Sequence, residues 1–288
     1  MSAKSAASPD SLERATRIEG GNGHFRLELS ADWFGLNGLY GGYLAAVNLR
    51  AAAEASGFER AASHTCHFLS GAQPGPAELE VTSLRRNKRS ESMRVSMRQG
   101  GRAVVESLTW MGLEGDGFAL DFEPMPEVAG PQGLAERVDV MRGISDFHSP
   151  VWDRISAHYC DRVPFSAARP DEPEVDWWFR INGQTRAESM LHDVLRVTTI
   201  LDGAFHDPLY QTQGGDPRAY DFGAPTVELT IHYHRAALDA EWFFCRSKVQ
   251  LAAAGLISGV ARLWSQEGAL VASAASNLAC RPIASRRS

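Results

Sequence analysis

Several short stretches of this chain alternate strictly between apolar and polar residues, which predicts half-buried strands. In His24-Phe25-Arg26-Leu27-Glu28-Leu29 every second residue is apolar. Over 92–98, Met93, Val95 and Met97 share one face, with Ser92, Arg94, Ser96 and Arg98 on the other, so this sheet has one wet side. Further strands are expected at 65–69, 77–84 and 103–111. One helix precedes these last strands. Gly41-Gly42-Tyr43-Leu44-Ala45-Ala46-Val47 opens an alanine-rich run to about Ser56, and Gly57 supplies a stop.

The second half repeats this order. A strand at 176–181 leads into a helix over 188–205, and strands follow at 227–235, 241–251, 256–264 and 269–278. Between the halves, Glu114 to Asp139 is rich in Gly, Pro and acidic residues and reads as a linker. A duplicated α+β unit is the simplest account: a tail at 1–12, a first unit at 13–113, a linker at 114–139 and a second unit at 140–283. One helix followed by long antiparallel strands suggests a sheet curled around that helix. Two such sheets joined edge to edge would cover exposed strand edges.

Composition narrows the function classes. The 288 residues are 44% hydrophobic and 22% charged, ordinary for a folded globular chain. No window approaches ~18 uninterrupted apolar residues, which excludes a membrane-spanning helix. A net charge of −6 argues against a general nucleic-acid binder. Cys66, Cys160, Cys245 and Cys280 are scattered, suggesting neither a disulfide framework nor a zinc ribbon. Met1 to Pro9 is Ser/Ala-rich without an apolar core and reads as a loose tail, so a cytoplasmic location is expected. There is no G-x-S-x-G elbow, P-loop or H-E-x-x-H helix. His232 and His234 share a strand face, but a metal would need further ligands, so a polar-face role is favoured. No metal or redox cofactor is implied.

Specific residues then carry a resemblance. In the first half these are Asn37-Gly38, Gly41-Gly42-Tyr43, Cys66-His67-Phe68-Leu69, Pro74-Gly75-Pro76 and Val81-Thr82-Ser83-Leu84-Arg85-Arg86. In the second they are the run from Pro225-Thr226 to His234-Arg235, then Trp242, then Gly268-Ala269-Leu270-Val271-Ala272-Ser273. In order and spacing this chain resembles acyl-CoA thioesterase II-type proteins of the thioesterase-like superfamily. The resemblance implies an α+β double hotdog, two antiparallel sheets each wrapped around a central helix, and hydrolysis of an acyl-CoA to free acid and coenzyme A.

Such thioesterases hold and activate water with an aspartate on the second-half helix, a Thr or Ser on the next strand and a Gln on the last strand. Asp202 and Thr226 fall on the first two positions; Ser276 stands where the glutamine should be. Serine keeps a hydroxyl but loses the amide's reach, so slow turnover is expected. Asn277 is one step along the strand and faces the other way. Asp202-Gly203 also reads as a plain helix ending, and Thr226 as an ordinary strand threonine.

Substrate-binding candidates are Gly41, Gly42 and Tyr43 at the first helix start, whose glycines either permit close packing or present N–H groups to a thioester carbonyl. Arg85, Arg86, Lys88 and Arg89 form either a solvated face or a landing site for coenzyme A phosphates. The expected partner is the acyl-CoA substrate, with no nucleic acid and no membrane span, and sheet edges or faces offer a route to a homo-oligomer. Two alternatives stand beside hydrolysis: a non-hydrolytic acyl-CoA binding protein, favoured by Ser276, and a hotdog hydratase.

Overall fold

The computed structural model describes residues 11–115, 117–144, 148–160, 168–171, 173–216 and 220–282. In chain order the first half comprises α1 (Leu12–Ala15), β1 (Glu19–Gly21), β2 (His24–Leu29), α2 (Gly41–Ala55), β3 (Arg60–Phe68), β4 (Gly75–Arg86), β5 (Ser90–Gln99) and β6 (Arg102–Gly112). The second half comprises β7 (Ala135–Glu136), α3 (Arg137–Ile144), β8 (Ile155–Tyr159), β9 (Glu174–Ile181), α4 (Met190–Asp202) and α5 (His206–Gln213). It continues with β10 (Phe222–Gly223), β11 (Thr226–Tyr233), β12 (Phe243–Ala253), β13 (Leu256–Ser265), β14 (Leu270–Ala279) and β15 (Arg281–Pro282).

Thirteen strands form one continuous antiparallel sheet, in the order β1-β2-β4-β5-β6-β3-β11-β14-β13-β12-β9-β8-β7. The sequence reading expected two sheets joined edge to edge; the structure has a single sheet that is continuous through the β3–β11 pair. β3 and β11 would each present an unpaired backbone edge, and they pair with each other, with Cys66 opposite Leu229 and His64 opposite Ile231. No helix among the described residues is long and apolar enough to cross a membrane.

Helices α2 and α4 lie against the inner face of the sheet, α2 on first-half strands and α4 mainly on β3, β9, β11 and β14. Both are buried on nearly every side, because each is pressed between sheet and partner helix. They also touch each other: the Tyr40 hydroxyl, just before α2, donates to the carbonyl of Thr199 in α4 at 2.8 Å. The helix expected over 188–205 ends at Asp202, and a 3-10 turn at Gly203–Phe205 then leads into α5.

Two other expectations change. Of the tail expected at 1–12, residues 1–10 lie outside the described residues, while Ser11 caps α1 and Leu12 is fully buried, so both belong to the fold. The 114–139 stretch does not hang free. Trp178, Phe244 and Trp264 point away from the main core, alternating with Trp177, Phe243 and Leu263, and with Trp242 they form a second apolar cluster on the outer face. Met125, Val128 and Leu134 cover that cluster. Indole N–H groups pin the covering chain, Trp264 donating to the Glu123 carbonyl at 2.9 Å and Trp178 to that of Ala129 at 2.8 Å. The stretch ends in β7, paired with β8 at Ala135–Tyr159 and Glu136–His158.

Candidate active site

The N-terminus of α2 has no cap from its own sequence: Tyr40 holds the cap position and makes no side-chain cap bond. The first-turn N–H groups of a helix need acceptors. Asp202, at the C-terminal end of α4, supplies one, its Oδ2 accepting from the Gly42 N–H at 2.8 Å. The glycines permit this approach. A Cβ at Gly41 would sit 2.9 Å from Oδ2, and one at Gly42 would sit 2.6 Å from the Thr199 carbonyl oxygen. The close packing expected of this pair is seen, whereas the Gly42 N–H donates to the Asp202 carboxyl and is not turned to a thioester carbonyl.

Only 2% of Asp202 is exposed, and its second oxygen, Oδ1, has no hydrogen-bond partner among the described residues. Burial raises its pKa above the ordinary aspartate value, opposed by His206, by the Gly42 N–H and by the Thr226 hydroxyl. Its place at the end of α4 adds to the strain on the charge, since a helix C-terminus disfavours an anion while the α2 N-terminus favours one. One carboxyl thus carries a capping oxygen and a free one.

Thr226 reaches this site through a bulge. Thr226 pairs with Leu278 and Glu228 with Asn277, so Val227 is an extra residue in β11. Without it, Thr226 would share the outward face of Glu228 and Thr230; with it, Thr226 shares the inward face of Leu278. Ser276 also faces inward, and it is buried, but its Oγ donates to the backbone carbonyl of Glu228 at 2.7 Å, beside the bulge. Asn277 faces outward, bonding Glu228 Oε2 at 2.6 Å and accepting from Ser258. Ser276 pairs with Gly259 of β13, and a Cβ on Gly259 would come 2.9 Å from the Phe205 ring. That ring fills the space beside Ser276.

Other candidates lie elsewhere. Tyr43 is a core residue instead of a substrate contact: its ring stacks on Trp33 at 5.5 Å, and its hydroxyl donates to the Ala15 carbonyl and accepts from the Ser30 N–H. Arg86 pairs with Glu91 at 3.3 Å and lies over Phe58 and against Gly57, just beyond the C-terminal end of α2. Arg85, Lys88 and Arg89 are exposed around the same hairpin. Asp202 sits at the opposite end of this helix, about 20 Å away at 1.5 Å per residue. The basic cluster and the carboxyl are not brought together within the chain. His232 is exposed, and His234 bonds Ser273 Oγ at 3.0 Å.

Two features escaped the sequence reading. His206 lies one helical turn beyond Asp202, a spacing legible in the sequence, and it bonds the Ala224 carbonyl at 2.9 Å, two residues before Thr226. Behind Gly203, Arg137 makes a bidentate pair with Asp207 at 2.8 and 3.1 Å, and the Tyr159 hydroxyl donates to the same carboxylate. The Arg137 guanidinium stacks on Trp152 at 3.9 Å, and that ring lies 3.5 Å from where a Gly203 Cβ would be. No sequence spacing links residues so far apart.

Family models match most of the chain, that of the acyl-CoA thioesterase N-terminal domain over residues 29–112 and that of the acyl-CoA thioesterase C-terminal domain over 121–278. No curated protein matches its sequence. Among solved structures it is similar to a conserved protein of unknown function with a hot dog fold from Alicyclobacillus acidocaldarius (16% identity over 94% of this chain and 98% of that one, TM-score 0.81). It is also similar to the tesB protein of Mycobacterium avium subs paratuberculosis (18% identity, 96% and 100% covered, TM-score 0.76). A third is an acyl-CoA thioesterase II from Mycobacterium marinum (16% identity, 95% and 99% covered, TM-score 0.73). At such identities these likenesses establish the hotdog fold.

Proposed function

The chain belongs to the acyl-CoA thioesterase family, whose reaction is hydrolysis of an acyl-CoA to free acid and coenzyme A, and we propose that Asp202 drives that reaction here by activating water. The observation that carries this reading is the split carboxyl: Oδ2 caps α2, while Oδ1 is buried and free to take a proton. As the water oxygen attacks the thioester carbonyl carbon, its proton passes to Oδ1. The C–S bond then breaks, and the proton held on Oδ1 passes to the leaving sulfur, giving free acid and the coenzyme A thiol and restoring the carboxylate. Thr226 orients the water, and His206 is a positioning residue through its bond to the Ala224 carbonyl. Assaying thiol release across a panel of acyl-CoA chain lengths tests the reading. Binding of acyl-CoA without any thiol release would favour the non-hydrolytic alternative.

Ser276 has a different part in this reading. Its hydroxyl proton is engaged by Glu228, which supports a brace for the bulge that turns Thr226 inward. The water then has two protein partners where the family's pattern has three, so turnover is slow. Restoring the amide requires room that Phe205 occupies. Ser276→Gln alone is expected to leave turnover no higher and to cost about 1–3 kcal/mol of stability through overpacking. Phe205→Ala combined with Ser276→Gln is expected to raise turnover roughly tenfold or more. Steady-state thiol release and thermal melting of both variants check this; a faster Ser276→Gln single variant would show that the ring leaves room.

A further inference from the structure

Asp202 and Gly42 meet because two helix ends meet, and a second side chain crosses the same gap in the opposite direction. Tyr40 stands at the cap position of α2, where Ser, Thr, Asp or Asn would ordinarily turn back to the helix's own N–H groups. Its side chain makes no such bond and reaches away to α4. Its backbone is held on both sides. The Tyr40 N–H donates to the Trp33 carbonyl at 2.9 Å, and the Tyr40 carbonyl accepts from the Leu44 N–H at 3.2 Å.

The far end of Tyr40 fills a gap in the hydrogen bonding of α4. In a regular helix the Gly203 N–H would donate to the Thr199 carbonyl, one turn back. It donates instead to the carbonyls of Ile200 and Leu201, because the chain tightens there into the 3-10 turn. The Tyr40 hydroxyl takes its place and donates to the Thr199 carbonyl at 2.8 Å. Gly203 leaves room for this, since a Cβ there would lie 2.8 Å from the hydroxyl oxygen. At the near end the Tyr40 ring lies against Gly42, whose Cβ would come 2.7 Å from Cε1. The two helix ends thus exchange bonds, the Gly42 N–H to Asp202 and the Tyr40 O–H to Thr199, both at 2.8 Å.

We propose that Tyr40 is a positioning residue for hydrolysis: by tying the last turn of α4 to the start of α2, its hydroxyl fixes the direction in which Oδ1 of Asp202 meets the water. This rests on the reading of Asp202 as the base. The hydroxyl also offsets one carbonyl of a helix end that disfavours the Asp202 anion. The other titratable groups about the carboxyl are Cys66 on β3 and His206 at the start of α5, and Arg137 on α3 faces Tyr40. Burial pushes the Tyr40 hydroxyl and the Cys66 thiol well up, so both stay protonated and Tyr40 remains a donor near neutral pH.

Thiol release from an acyl-CoA by the full chain, followed against pH for wild type, Tyr40→Phe, Asp202→Asn and the double variant, tests the proposal. Phenylalanine keeps the ring against Gly42 and removes only the hydroxyl. Tyr40→Phe is expected to lower kcat about tenfold with KM unchanged. The acidic limb of its pH profile should move up by about half a pH unit, because the Thr199 carbonyl has lost its donor. In the Asp202→Asn background the same substitution is expected to change the residual rate less than about twofold, since no base remains to be positioned. Tyr43→Phe removes another buried hydroxyl, the one bonded to Ala15 and Ser30, and is expected to leave kcat and the pH profile as in wild type. A Tyr40→Phe enzyme with wild-type kcat and pH profile overturns the proposal while Asp202 keeps its role. An equal loss with and without the Asp202 carboxylate overturns it too. An Asp202→Asn variant as fast as wild type overturns the reading of the base itself, whatever Tyr40 does.

Discussion

Asp202→Asn is expected to lower thiol release by about 10³-fold, the usual range for loss of a general base, while the protein folds as well as before. The amide oxygen still accepts from the Gly42 N–H, so the cap on α2 survives. What disappears is the ability of Oδ1 to take a proton. The stability effect has a definite sign. Burial raises the Asp202 pKa, so the folded state favours the neutral acid. Stability from this group is fully present below the ordinary aspartate pKa and is lost as pH rises through the folded value. Asparagine is neutral throughout, so the variant should melt no lower than wild type at pH 8, with a flatter pH dependence. Catalysis runs the other way, the wild-type rate rising with pH as Asp202 ionises. Thiol release and melting curves at pH 5 and pH 8 check both. A variant that is well folded and still fast would remove Asp202 from the chemistry and leave it as a cap.

Asp207→Ala is expected to be the most damaging single change outside that carboxyl. It strands the buried Arg137 guanidinium and removes the acceptor for Tyr159. Breaking a buried ion pair from one side typically costs about 3–5 kcal/mol, because the remaining charge stays out of water. For a chain of this size that corresponds to a midpoint lower by about 10 °C. Activity should fall with it, since Arg137 holds Trp152 against the Gly203 corner that carries Asp202. Thermal unfolding followed by circular dichroism measures the loss. A drop of less than about 1 kcal/mol would mean that the corner stands without the network.

Much of the fold was legible because its strands are long and one-sided. β2 has the expected bounds, β4, β5, β6 and β13 extend one or two residues past theirs, and β14 is shifted by one residue, since period-two patterning marks the middle of a strand better than its ends. α2 and α4 were legible from their apolar runs between glycine and polar punctuation. Among the elements that escaped, α1, β1, β7, β8, β10 and β15 offer too few residues for a period to show, and α3 and α5 are eight-residue helices of mixed composition. The strap over Trp178 and Trp264 has proline and acidic composition, and its hold on the sheet depends on indole N–H groups meeting backbone carbonyls. Composition cannot report such bonds.

The site divides in the same way. Family positions marked Asp202, Thr226 and the departure at Ser276, and spacing placed Asn277 on the wrong face. Tyr43 lies in the core and the basic hairpin stands at the far end of α2 from Asp202, because adjacency in sequence says little about which end of a helix meets which neighbour. Local pattern by itself determined the duplicated α+β order and the residue types available for hydrolysis. The tertiary structure decided that the two half-sheets fuse through β3 and β11, that a bulge turns Thr226 inward, and that Asp202 caps a helix 160 residues earlier in the chain. Periodicity is a property of neighbouring residues, whereas a hydrogen bond across such a separation depends on how the whole chain packs, and no local pattern encodes it.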